Sequence, residues 1–163
     1  MRSIKKMLPN IVYGGSDGAV TTFSVMAGAL GAGLDARVVL ILGCANLASD
    51  GFSMASADFL SEESKEHATE KKSFAEAVTT FLSFVIIGMI PLIPFFLAIF
   101  FTLPVNKFTL SIILTGIAFV LIGYIRAHVL NKNKIATISQ SVLIGSLCAS
   151  IAYFVGQAIA SIA

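Results

Sequence analysis

Charge is scarce in this sequence. Asp, Glu, Lys and Arg make up 12% of its 163 residues, against 56% hydrophobic, and the mean hydropathy is +0.90. Such a balance lies far outside that of a soluble domain and indicates an integral membrane protein. Cysteine is nearly absent: Cys44 and Cys148 both lie within long apolar runs, where a thiol packs as a small apolar group, so neither a disulfide nor a catalytic thiol is expected. A net charge of +2 is too small and too dispersed to suggest nucleic acid as a partner. The N-terminal region lacks the uninterrupted apolar core of a cleaved signal peptide, because Asn10 and Asp17 follow "RSIKK". Strict apolar/polar alternation is also missing and the segments are long, which argues against a transmembrane β-barrel.

The charges that are present crowd into residues 2–6, 62–76 and 126–134, and the runs between them are candidate spans. A helix needs about 20 residues to cross the hydrocarbon. Five spans are expected, near 11–33, 36–61, 76–103, 107–130 and 137–162, forming one all-α transmembrane domain over residues 1–163. The third contains "IPLIP", where Pro91 and Pro94 remove two backbone donors; it is either one kinked, tilted helix or two half-helices. The link "GAGLD" is short enough to force the first two spans into an antiparallel hairpin. Placing the N-terminus in the cytoplasm puts nine of the eleven Lys and Arg residues inside, leaving only Arg37 and Lys107 outside. The C-terminus then lies outside. The segment "LSEESKEHATEKKSFAEA" has no Gly or Pro and is expected to continue the second helix into water.

A carboxylate at the bilayer centre costs about 2.5 to 3.5 kcal/mol on insertion scales, so it needs a partner, water or a substrate. Here the hairpin brings two together. With the turn near Leu34, Asp17 comes level with Gly51, flanked by Asp50 and Met54. Asn46, Asp50, Met54 and Asp58 recur every four residues on one helical stripe; Asp17, Thr21 and Ser24 share a face on the facing helix. Two carboxylates, an amide, hydroxyls and one thioether suit a borderline divalent metal such as Fe²⁺ or Mn²⁺, with Asp17, Asn46, Asp50 and Met54 as ligands and Thr21, Ser24 and Asp58 along the pathway. The plainer alternative has Met54 filling a packing gap and Asp17 capping a helix start.

Glu62, Glu66 and Glu70, and Glu63 with His67, are spaced by four. They could attract a cation at the cytoplasmic mouth, or simply form a solvated charged face with neighbouring lysines. His128, beside Arg126, reads as an interfacial residue. Gly14 and Gly18 form a small-xxx-small pair, as do Ala27 with Gly31; together with Gly28 and Gly51 they favour close helix packing, within the hairpin or across a homodimer.

"DGAVTTFSVMAGALGAG", "GCANLASDGFSMASADFLSEES" and "TFLSFVIIGMIPLIPFF" together resemble the signature segments of the vacuolar iron transporter family, over about residues 12–97. The resemblance implies a five-span helical dimer that moves Fe²⁺, and often Mn²⁺, out of the cytoplasm in exchange for protons. Metal is then substrate, no cofactor is needed, and the protein is not an enzyme. It also implies that Asp17 is the family's membrane-embedded aspartate and Met54 its methionine, with Asn46 and Asp50 on the same pathway-facing stripe. Better-known members insert a long acidic helical domain where this chain has only 62–76. A prokaryotic inner membrane is expected, or a vacuolar membrane in a eukaryote. Two other readings are an intramembrane aspartyl protease, whose Gly-x-Gly-Asp context is absent here, and a membrane scaffold without substrate.

Overall fold

A computed structural model describes residues 2–66, 69–102 and 104–162, with side chains from Met7 onward. It is all helical among these residues: α1 (Arg2–Gly31), α2 (Ala36–Glu63), α3 (Glu70–Gly88), a short 3₁₀ turn (Ile90–Leu92), α4 (Ile93–Phe100), α5 (Lys107–Val129) and α6 (Lys134–Ala160). Helix α1 begins earlier than the expected span and carries Pro9 inside it.

Local chemistry sets the helix ends. Gly33 adopts φ 69°, in the left-handed region. The Leu34 amide then donates to the Ala29 carbonyl at 2.9 Å and the Gly33 amide to Leu30 at 2.8 Å, the paired bonds of a Schellman motif. Two residues later the Asp35 side chain accepts from the Arg37 amide at 2.8 Å and caps α2. The expected tight hairpin follows directly. Asn131 repeats the device at the end of α5 with φ 50°, and the Asn106 and Asn133 side chains cap α5 and α6.

The expected continuation of the second helix through 62–76 is corrected. Helix α2 stops at Glu63 and α3 begins at Glu70. The Ser64 hydroxyl donates back to the Leu60 and Ser61 carbonyls, which competes with helix propagation. Glu62 then pairs with both Lys65 and Lys72, which ties the start of α3 to the end of α2. His67 lies outside the described residues.

The proline segment resolves into two helical pieces. Pro91 and Pro94 are both buried. The Ser111 hydroxyl of α5 donates to the Pro91 carbonyl at 2.7 Å, supplying a partner at the break where the regular ladder is interrupted.

Four helical stretches are long and apolar enough to cross a membrane: Ala36–Glu63, Glu70–Phe100, Lys107–Val129 and Lys134–Ala160. Helix α1 does not join them on composition, because Asp17, its hydroxyl residues and its glycines dilute the apolar content. It takes the middle of the bundle instead, packed against α3 and α6 and also touching α2 and α5. The main core gathers Met26, Ala29, Val39, Leu47, Phe84, Leu92 and Phe95. A smaller one joins Ala19 to Phe119 and Ile122. Large apolar side chains such as Ile41, Ile86, Ile117 and Ile151 cover the outer surface.

The glycines of α1 make this arrangement possible. A Cβ on Gly18 would stand 2.3 Å from the Phe84 carbonyl oxygen, and one on Gly14 would stand 2.4 Å from that of Thr80, both on α3. Toward α6, a Cβ on Gly31 would meet the Tyr153 carbonyl at 2.1 Å. The close approaches of Gly14, Gly18, Gly28 and Gly31 are therefore to α3 and α6, while Gly51 of α2 sits against Phe81 and Phe84. Gly116 has nothing within 4 Å. Gly18→Ala should lower thermal stability by about 1–3 kcal/mol, the range of overpacking, whereas Gly116→Ala should hold or raise it by about 0.5–1 kcal/mol. Unfolding curves of the detergent-solubilised variants check the pair.

Candidate metal site

Three helices fix the depth of the acidic pair. Gly18 of α1 and Gly51 of α2 both lie against Phe84 of α3, which is fully buried. Asp17 and Asp50 each adjoin one of these glycines in sequence. That shared neighbour puts the two acids near one level, the level the hairpin spacing predicts. Both are half-buried. Among the described residues no hydrogen bond reaches either carboxylate; the Thr21 hydroxyl donates at 2.8 Å to the Asp17 backbone carbonyl, not to its side chain.

Other polar groups on α1 and α2 are also unpaired. The Asn46 side-chain nitrogen and the Ser24 and Thr22 hydroxyls are buried without a hydrogen-bond partner. Buried polar atoms are ordinarily satisfied, and of these three Asn46 stands one turn from Asp50 on α2. Met54 is half-buried and packs against the apolar cluster around Phe84, one turn from Asp50. Asp17 also lines a groove of about 590 Å³ between α1, α5 and α6, with Val12, Val20, Arg126 and Ile144 on its walls. Arg126 donates to the Gln140 side chain at 3.0 Å.

Asp58 has a different environment. Its Oδ2 accepts from the Asn10 side-chain nitrogen at 2.7 Å and from the Thr80 hydroxyl at 2.6 Å. The lower acids do not assemble either. Glu62 is buried and bound to Lys65 and Lys72, Glu63, Glu66 and Glu70 are exposed, and among the described residues no three carboxylate, imidazole or thiol groups gather in a metal-binding set. Sequence reasoning passed over Asn10 except as an interruption, and it did not single out Thr80 and Ser83. Their three-residue spacing, with Ser83 set in the apolar half of α3, was the available signal.

A family model described as the VIT family matches residues 8–74 and 63–157. Among curated proteins, a vacuolar iron transporter of Toxoplasma gondii is 40% identical over 67 residues, covering 41% of this chain and 20% of that protein. Vacuolar iron transporter 1 of Tulipa gesneriana is 29% identical over 97 residues, covering 60% of this chain and 38% of its own. That of Oryza sativa subsp. japonica is 29% identical over 94 residues, covering 58% and 36%. The matches therefore span well under half the length of these relatives.

If Asp17 and Asp50 share one site, neutralising either should relieve the other. Asp17→Asn and Asp50→Asn should each raise thermal stability in metal-free detergent. The double variant should gain less than the two together, with a coupling of about 0.5–3 kcal/mol. Strict additivity would place the acids in separate environments.

Proposed function

The chain belongs to the VIT family, and on that premise we propose that it transports a divalent transition metal, Fe²⁺ and also Mn²⁺, out of the cytoplasm in exchange for protons. The observation that carries the reading is a pair of half-buried carboxylates, Asp17 and Asp50, that accept no hydrogen bond among the described residues and that each adjoin a glycine packed on Phe84. Asn46 and Met54, on the same stripe of α2, complete a donor set of mixed oxygen and sulfur that suits a borderline cation. The relatives are named as transporters, which agrees with a protein that is not an enzyme and favours neither proteolysis nor a scaffold.

Helix α1 acts in this proposal as a fifth span, giving a cytoplasmic N-terminus and an outside C-terminus. Its weak apolar character is tolerable because it is enclosed by neighbouring helices rather than by lipid. A homodimer follows from a related constraint. Ala45, Ser49 and Ser53 of α2 are exposed on the helix that carries Asn46 and Asp50. Lipid offers the Ser49 and Ser53 hydroxyls no partner, whereas a second copy covers this small-residue face and encloses the pathway. The membrane is vacuolar if the source is eukaryotic.

Proton coupling comes from ligand chemistry. Carboxylates bind metal in their deprotonated form, so metal entry displaces protons and metal release readmits them. Alternating exposure of the Asp17–Asp50 level to the two sides then exchanges one for the other.

In proteoliposomes with a set pH gradient, Asp17→Asn should cut metal flux more than tenfold while leaving folding and assembly intact. Undiminished flux would overturn the assignment. Binding gives a separate check: Fe²⁺ or Mn²⁺ at a hundred times Kd should stabilise the parent protein by about 2.7 kcal/mol, and this gain should vanish in Asp17→Asn.

A further inference from the structure

We propose that Asn10, Asp58 and Thr80 form the inner gate of the pathway, a hydrogen-bonded clasp that must part before metal from the N-terminal side reaches Asp17 and Asp50. The inference rests on the transport reading above and adds to it a group of residues outside the metal-binding pair.

The clasp draws one residue from each of three helices. Asp58 of α2 accepts at a single oxygen from Asn10 of α1 at 2.7 Å and from Thr80 of α3 at 2.6 Å. The Asn10 side-chain nitrogen also reaches the Thr80 hydroxyl at 3.3 Å, and the Ser83 hydroxyl reaches the Asn10 backbone carbonyl at 3.3 Å. Asn10 and Ser83 are each 8% exposed and Thr80 is fully buried. Beside it the backbones of α1 and α3 touch, since a Cβ on Gly14 would stand 2.4 Å from the Thr80 carbonyl oxygen. No room is left between α1 and α3 at this level for a hydrated ion.

Its position along the bundle suits a gate. Asp58 follows Asp50 by eight residues on one helix stripe, about 12 Å at 1.5 Å per residue, and Asn10 precedes Asp17 by seven, about 10 Å. Both displacements point toward the N-terminal end, because α1 leaves that end and α2 returns to it. The clasp therefore lies between that end and the acid pair. One turn further on, Glu62 ties α2 to Lys72 of α3. Among the described side chains, the clasp is the polar group that joins α1 to both α2 and α3 here.

A packing role alone does not account for it. Buried polar ties replaced by well-fitting apolar residues are often neutral or stabilising, so two polar side chains from different helices spent on one carboxylate call for another use. The chemistry supplies one. A divalent cation bound at the Asp58 carboxylate draws off the negative charge that Asn10 and Thr80 now bond to and competes for Oδ2, so the substrate itself loosens the clasp.

The test reads access without needing transport. In a chain carrying Cys44→Ala and Cys148→Ala, Met54→Cys places a reporter thiol between the clasp and the acid pair. A membrane-impermeant maleimide is added from the N-terminal side of oriented vesicles, without metal. Losing one hydrogen bond to a charged acceptor shifts an open–closed balance by about tenfold or more, so Asn10→Ala and Thr80→Val should each speed labelling by about that factor. Thr80→Ser, which keeps the hydroxyl, should restore the slow rate. Mn²⁺ should speed labelling with Asn10 and Thr80 intact. Unchanged labelling in Thr80→Val, an isosteric change, with a parental elution profile would overturn the gate even if Asn10→Ala does not fold. Faster labelling of the reporter chain, with no metal flux in the parent chain that keeps Met54, would retire the transport reading and leave the clasp standing.

Discussion

The structure depends on the close approach of α1's backbone to its neighbours. Lipid tails are as apolar as leucine, so no hydrophobic force draws membrane helices together; van der Waals contact and hydrogen bonds do that work. Glycine permits the contact. Gly14 and Gly18 bring α1 onto the carbonyls of α3, and on the other side Gly156 of α6 would place a Cβ 2.0 Å from the Gly28 carbonyl oxygen. The least apolar of the long helices thereby reaches the middle of the bundle. Asp17 is carried with it and is half-buried among the neighbouring helices.

Once α1 is in place, the polar residues separate into two kinds. Asp58 is satisfied by donors from two flanking helices. Asp17 and Asp50 are not, and neither is the buried Asn46 amide. Equivalent side chains thus take different roles according to what faces them: a paired carboxylate fastens helices, and an unpaired one retains affinity for a cation or a proton. Sites that break the ordinary rule of polar satisfaction, while the rest of the molecule obeys it, are where function is expected. Phe84 links the two kinds, since its layer sets the level of the acid pair and it stands one residue from Ser83.

Much of this was legible along the chain. "GAGLD" contains the glycine and the aspartate that end α1 and cap α2, so the hairpin and the level of Asp17 with Asp50 followed from counting residues. "IPLIP" announced a break, although only the Ser111 hydroxyl on a different helix shows how the broken segment is satisfied. The stretch after Glu63 misled because helix-breaking residues are absent there. Ser64 bonding back to its own helix and Lys72 folding onto Glu62 ended the helix without a glycine or proline.

The sequence by itself determined what is local: the membrane class, from the scarcity of charge; four of the spans, from the length of apolar runs; and the shared stripe of Asn46, Asp50, Met54 and Asp58, from a four-residue period on a single helix. Tertiary structure alone decided which helices became neighbours. Asn10, Asp58 and Thr80 are separated by 48, 22 and 70 residues in their pairings, and no periodicity within one helix encodes such a meeting. Helical period fixes the face on which a side chain lies, but what that face meets is set by where glycines allow backbones to touch.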